Sequence, residues 1–253
     1  MTLSDRLTNA MPGRRSMKLT RRDAIKVSGT AVAGLSMGVV KPDRVLAQEA
    51  QEFPDRLVEG EIRTRADLPL NADGSAPEHS PGSAGPIDGV IYRYTGGEAP
   101  DTDLDYRTAS IRIAASRLSR LHGTLRYDDL ADLPRHSMVT LLQCGAPRPT
   151  GIAKWTGVRF NDVLDMIGLA PTAHYCRIIS HDGYYTDEEV PTMRHRQTML
   201  VWMLNDEPLP PVNGAPFRLV IPFRYGGRSV KAVQEITFGS PSLPFREVPT
   251  RGA

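Results

Sequence analysis

Two cysteines in 253 residues limit this chain to one disulfide at most, and a chain of this length buries enough apolar surface to fold without one. Cys-x-x-Cys-His is absent, which excludes a covalently attached c-type haem. The absence of Gly-x-Gly-x-x-Gly excludes the glycine-rich turn of nicotinamide- and flavin-binding folds. The weakly apolar stretch 27–40 is too short and too rich in Gly, Ser and Ala to span a bilayer, which takes about 20 strongly apolar residues. No internal repeat occurs. Positive charge also becomes scarce once the N-terminus is set aside. Of 31 Lys/Arg and 29 Asp/Glu, residues 1–47 hold nine and three, leaving 22 basic against 26 acidic residues and a net charge of −4. No basic tract interleaved with aromatics remains, so nucleic acid is not expected as a partner.

What the N-terminus does contain is ordered like an export signal. Thr20-Arg21-Arg22-Asp23-Ala24-Ile25-Lys26 precedes the weakly apolar stretch, and Val45-Leu46-Ala47 supplies small residues for cleavage. Paired arginines followed by a polar residue and Lys26 indicate the twin-arginine route, although Ala24 stands where that motif usually has Phe. Residues 1–47 are therefore read as a twin-arginine signal peptide and the destination as the periplasm. That export machinery carries folded cargo, typically loaded with a cofactor beforehand, so a cofactor is expected.

Residues 48–86 are rich in Pro, Gly, Ser and charge, and cannot build a core of their own. They are expected to wrap over the body or to stay partly mobile. Beyond them, short β-branched runs bounded by Gly and Pro predict strands at Val90–Tyr92, Ser110–Ile113, Met138–Leu142, Cys176–Ile179 and Phe217–Ile221. Helical patterns cover Tyr127–Leu133, Phe160–Ile167 and Gln197–Leu204, the second ended by Gly168. The expected fold is a single α+β domain over 87–240, rich in sheet, followed by a C-terminal tail at 241–253.

Cys144 ends an apolar run and opens the Gly145-Ala146-Pro147-Arg148 loop. A thiol in such a place is a packed core residue, a nucleophile or a metal ligand, and its charge state decides which. Cys176, inside a plain apolar strand, reads as core. Downstream come Lys154-Trp155-Thr156-Gly157-Val158-Arg159-Phe160, then His181-Asp182-Gly183-Tyr184-Tyr185. Last are Asn213-Gly214-Ala215-Pro216-Phe217-Arg218 and Tyr225-Gly226-Gly227-Arg228-Ser229-Val230-Lys231. Taken together and in this order, these patterns resemble the molybdopterin-binding domain of the sulfite oxidase family, over roughly Ile87 to Phe238.

The resemblance implies a molybdenum-molybdopterin cofactor with one pterin, the metal being held by the pterin sulfurs and the Cys144 thiolate; soft sulfur suits such a metal. It also implies that the phosphate on the pterin arm is bound by Arg218 and the segment Gly227, Arg228, Ser229 and Lys231, with Asn213 nearby. Glycines there allow close backbone approach, and the basic residues supply charge for a buried anion. Trp155 matches a tryptophan on the substrate side of the family pocket. Arg148 follows Cys144 closely enough to share its mouth. Arg93 lies where many relatives have Arg-Asn-His, here altered to Arg93-Tyr94-Thr95, and Cys144-Gly145-Ala146-Pro147 replaces the commoner Cys-Ala-Gly-Asn. Tyr184 or Tyr185 is the candidate pocket tyrosine. His181 is either a proton carrier near neutral pH or a solvent-facing loop residue.

The implied reaction is oxygen-atom transfer coupled to two electrons. It runs either as sulfite oxidation by a sulfite dehydrogenase or in reverse as methionine-sulfoxide reduction; the alternative of another class is a non-catalytic periplasmic binding protein on the same fold. A c-type cytochrome or a membrane haem subunit is the expected redox partner. About 15 residues follow Phe238, too few for the immunoglobulin-like dimerisation domain of many sulfite oxidases, so a monomer or small heteromeric complex is expected. Export carries the first test. Replacing both Arg21 and Arg22 by Lys is expected to leave the full-length precursor in the cytoplasm on cell fractionation, and unimpaired export would refute the twin-arginine reading.

Overall fold

The structure is a computed structural model that describes residues 67–87, 92–115, 117–145 and 149–247. The signal-peptide expectation at 1–47, most of the Val90–Tyr92 strand and Arg148 lie outside the described residues. In chain order the strands are β1 Ser110–Ala114, β2 Gly123–Arg126, β3 Arg135–Gln143, β4 Thr150–Arg159, β5 Tyr175–Ser180, β6 Tyr185–Glu189, β7 Met199–Leu204, β8 Glu207–Pro208, β9 Arg218–Val220 and β10 Val233–Gly239. The helices are short: α1 Tyr127–Ala131, α2 Phe160–Met166 and α3 Val190–Met193.

Five strands form one sheet in the order β2-β1-β10-β5-β6, in which only the β1–β10 pair is parallel. In the second sheet β3, β4 and β7 lie side by side, and the far edge of β7 is shared by β8 and β9. Both sheets contribute to the larger core: Ile111, Ile178 and Ile236 come from the first, and Val158, Leu200, Trp202 and Leu219 from the second. A smaller core of Met138, Leu142, Ala153, Trp155, Met199, Val201 and Val220 covers the other face of the second sheet. The expected α+β, sheet-rich architecture is the one found.

β7 overturns one expectation. Gln197–Leu204 reads as a short amphipathic helix in sequence, yet Met199–Leu204 is a strand paired with β4 on one side and with β8 and β9 on the other. Met199 and Val201 enter the small core while Leu200 and Trp202 enter the large one. A strand buried on both faces is apolar at every position and loses the two-residue alternation that marks a half-buried strand. The helices at Tyr127 and Phe160 form where expected. α1 is closed at its start by the Asp129 carboxylate, which accepts the Arg126 N–H at 2.8 Å. α2 stops at Gly168, whose φ of +63° favours glycine.

The described part of the N-terminal extension wraps over the body. His79 N–H donates to the Val139 carbonyl at 2.8 Å, and the Gln197 amide brackets Ala76 with bonds of 2.9 and 2.8 Å. This strap has no core of its own and borrows hydrogen bonds from β3 and from the approach to β7.

At Gly157, where the β4–β7 register shifts, the two backbones approach so closely that a Cβ would collide with the Leu200 carbonyl oxygen and lie 2.6 Å from Val201 Cα. Gly157→Ala is expected to destabilise the domain by about 3 kcal/mol, read as a lowered midpoint in urea denaturation; an unchanged midpoint would show that β4 and β7 can separate freely.

Candidate active site

Arg218 opens β9 and shares its face with Val220, so its side chain is driven into the small core. It is almost completely buried, with its guanidinium 5.0 Å from the centre of the Trp155 ring and Nη1 donating to the Asn213 carbonyl at 2.8 Å. Burial pulls its pKa down to about 10. A second cation sits beside it. Lys231 Nζ lies 3.6 Å from the centre of the Tyr92 ring, and burial together with the Arg218 charge lowers its ammonium to about 7. Tyr92 donates its hydroxyl to the Pro211 carbonyl at 2.8 Å, and burial pushes its phenol up. Gly214 permits the close approach. Its φ is +111°, and a Cβ there would fall 2.9 Å from Lys231 Cβ.

Among the described residues, three buried donors in this cradle have no hydrogen-bond acceptor: Arg218 Nε, Asn213 Nδ2 and the Trp155 indole Nε1. Buried N–H groups of this kind are costly unless satisfied. Two adjacent cations and three unsatisfied donors fit a bound anion such as a phosphate monoester.

The second cluster gathers at the end of β3. Cys144 is partly exposed and its N–H donates to the Pro149 carbonyl at 3.0 Å, closing the connection to β4. The Gly226–Arg228 3-10 turn packs alongside; a Cβ on Gly226 would meet Leu142 Cδ1 at 3.3 Å and the Gln143 carbonyl oxygen at 3.5 Å. Tyr184 donates its hydroxyl to the Gly227 carbonyl at 2.5 Å. The Arg93 guanidinium lies 5.5 Å from the Tyr184 ring centre, and the Tyr94 ring is 6.3 Å away. Burial raises the Tyr184 phenol while Arg93 and Arg228 oppose the rise.

Two short segments join the clusters. Tyr92 faces the cradle and its neighbour Arg93 faces Tyr184. The Asp182 carboxylate, whose charge is felt by Lys231, accepts the Tyr184 N–H at 3.0 Å from within the same β5–β6 turn.

The structure thus brings Cys144, Arg93, Tyr184 and Gly227 together at the mouth, and Asn213, Arg218, Lys231 and Trp155 together at the cradle. Trp155 is fully buried beneath Arg218 rather than at an open rim. Arg228 turns away from the cradle to β6, where it meets the Glu188 carboxylate at 3.0 Å and the Thr186 hydroxyl at 2.6 Å. Ser229 Oγ is occupied by the Ile221 N–H at 3.0 Å. Cys176 is completely buried in the large core. His181 is 3.3 Å from the Thr102 hydroxyl, and burial lowers its pKa.

Sequence reasoning did not assign roles to Tyr92, Tyr94, Asp182, Thr186 or Glu188. Only the adjacency of Tyr92 to Arg93 and of Asp182 to Tyr184 pointed to any of them. Among the described residues no group of three or more His, Cys, Asp or Glu is placed to hold a metal ion, and no helix is long and apolar enough to cross a membrane. A cavity of about 860 Å³ between Leu169, Tyr175, Val190 and Arg194 involves neither cluster.

Residues 99–243 match the family model described as the oxidoreductase molybdopterin binding domain. A putative protein-methionine-sulfoxide reductase subunit YedZ1 of Azospira oryzae is 32% identical over 136 residues, covering 54% of this chain and 51% of that protein. The mitochondrial sulfite oxidase of Drosophila melanogaster is 28% identical over 144 residues, covering 45% of this chain and 24% of that protein. The match therefore spans about half or less of the length of these relatives. Among solved structures, the sulfane dehydrogenase SoxCD from Paracoccus pantotrophus shares the fold, with a TM-score of 0.50 at 17% identity over 79% of this chain and 59% of that one.

Lys231 makes the cradle sensitive to pH. Between about 7 and 10.5 the unfolded chain holds a proton on this lysine that the folded, cofactor-free chain has lost, so stability is expected to rise with pH across that window. Sulfate, an anion of constant charge, is expected to bind more weakly as pH rises through 7. Lys231→Met should flatten both dependences in denaturation and titration calorimetry; a variant with the wild-type pH profile would place the titration elsewhere.

Proposed function

This chain belongs to the oxidoreductase molybdopterin-binding domain family, of sulfite oxidase type, and from that premise we propose that it is a periplasmic oxygen-atom-transfer enzyme acting as a sulfite dehydrogenase. The observation that carries the reading is the buried Arg218–Lys231 cradle with its unsatisfied donors, joined through Tyr92-Arg93 and Asp182–Tyr184 to the Cys144 mouth. Arg218, Lys231, Asn213 and the Trp155 indole N–H would hold the phosphate end of the cofactor, and the Cys144 thiolate would hold its metal. When bound, the cofactor supplies two-electron oxygen-atom exchange with the substrate.

The chain's own residues do the rest. Arg93 offers a guanidinium to a small sulfur oxyanion at the mouth. Tyr184, pinned by its hydroxyl to Gly227 and by its N–H to Asp182, presents a fixed aromatic wall beside Cys144.

Methionine-sulfoxide reduction is the second reading, supported by the likeness to the YedZ1 subunit and by the aromatic faces of Tyr94 and Tyr184, which suit a thioether sulfoxide as well as an oxyanion. In either direction electrons are exchanged with a c-type cytochrome or a membrane haem subunit, and the folded enzyme reaches the periplasm by the twin-arginine route.

Protein purified from the periplasm is expected to contain molybdenum and pterin and to reduce cytochrome c when sulfite is added. Reoxidation of reduced dye by methionine sulfoxide with no response to sulfite would establish the second reading, and absence of the metal would overturn both. Cys144→Ser is expected to retain part of its pterin through the cradle while losing turnover by more than about 100-fold; full activity in that variant would remove Cys144 from the metal.

A further inference from the structure

Glu188 stands on β6, the edge strand of the first sheet, and its side chain is about 5% exposed. Burial raises its carboxyl pKa and Arg228 opposes the rise. The strand's alternation sends Thr186 and Glu188 inward, while Asp187 turns out to pair with Arg177 at 2.6 Å. A carboxylate buried at an edge strand is costly unless its partner is well placed. Here the partner is Arg228, which bonds Glu188 through Nε at 3.0 Å and Thr186 through Nη1 at 2.6 Å.

Arg228 closes the same three-residue turn whose Gly227 carbonyl takes the Tyr184 hydroxyl and whose Gly226 packs on Leu142 and Gln143, directly before Cys144. One β5–β6 hairpin therefore grips this turn twice, by Tyr184 at its bend and by Thr186 and Glu188 along β6. We propose that Glu188, assisted by Thr186, is a positioning residue for the mouth. Through Arg228 it holds the Gly226–Arg228 turn against the end of β3 and so sets the space beside the Cys144 thiol. The function of that space rests on the reading above, but the geometry is testable without it.

The test is alkylation by N-ethylmaleimide of the full chain produced without cofactor, where buried Cys176 serves as an internal gauge of global unfolding. Glu188→Ala is expected to speed labelling of Cys144 about tenfold with Cys176 still protected, and Glu188→Gln, which keeps an acceptor oxygen for Arg228, to restore most of the protection. In the loaded enzyme the same Ala variant is expected to split a single electron paramagnetic resonance signal into several species, with Gln again close to wild type. Wild-type labelling and signal in Glu188→Ala would overturn the proposal. If Cys176 also becomes reactive in that variant, Thr186→Val decides: faster Cys144 labelling supports the tether, and the wild-type rate refutes it. A chain that binds no molybdenum would sink the functional reading while leaving the alkylation result to judge Glu188.

Discussion

Two cations forced into one buried site govern the organisation of this molecule. Burial strips hydration from both Arg218 and Lys231 and so lowers both pKa values, and the Arg218 charge lowers that of Lys231 further. Several neighbouring groups relieve this. Asp182 contributes a favourable charge to Lys231, the Tyr92 and Trp155 rings offer their faces, and the Asn213 carbonyl accepts one guanidinium N–H. Unsatisfied N–H groups remain around them. The free donors of Arg218, Asn213 and Trp155 are what a bound anion would satisfy.

That requirement is transmitted to the mouth by covalent neighbours rather than by long networks. Tyr92 and Arg93 are consecutive, as are the members of the Asp182-Gly183-Tyr184 turn, and each pair places one residue at the cradle and another near Cys144. The Gly226–Arg228 turn and Lys231 lie three to five residues apart on one segment and do the same from a third side. The sheet-rich body thereby holds three segments that each reach both clusters.

β1 was legible through its alternation, β3 and β5 through β-branched runs bounded by turn residues, α1 through its helical pattern and α2 through that pattern and its terminating glycine. β7 was not, since burial of both faces erases its period. Among the site residues, Cys144, Arg218 and Lys231 stood out through rarity or through glycine-bearing surroundings. Glu188 did not, because Asp187-Glu188-Glu189 reads as a solvated acidic run, and nothing local marks the middle carboxylate as buried. Trp155 was recognisable as a site residue, but its depth beneath Arg218 depends on β4 and β9 both flanking β7.

The sequence by itself determined the chemistry on offer: one loop thiol, a pair of basic residues set among glycines, aromatic residues near both, and enough β-branched runs to build a sheet-rich domain. These are local properties of composition and spacing. Only the tertiary structure decided which groups share a site. It sent Lys231 to Arg218 and Arg228 to Glu188 although the two basic residues are three positions apart, because Lys231 follows the 3-10 turn on its way to β10 while Arg228 ends that turn facing β6. Side-chain direction at a turn is set by what packs against it: Glu188 on β6 for Arg228, and Arg218 on β9 with the Tyr92 ring for Lys231.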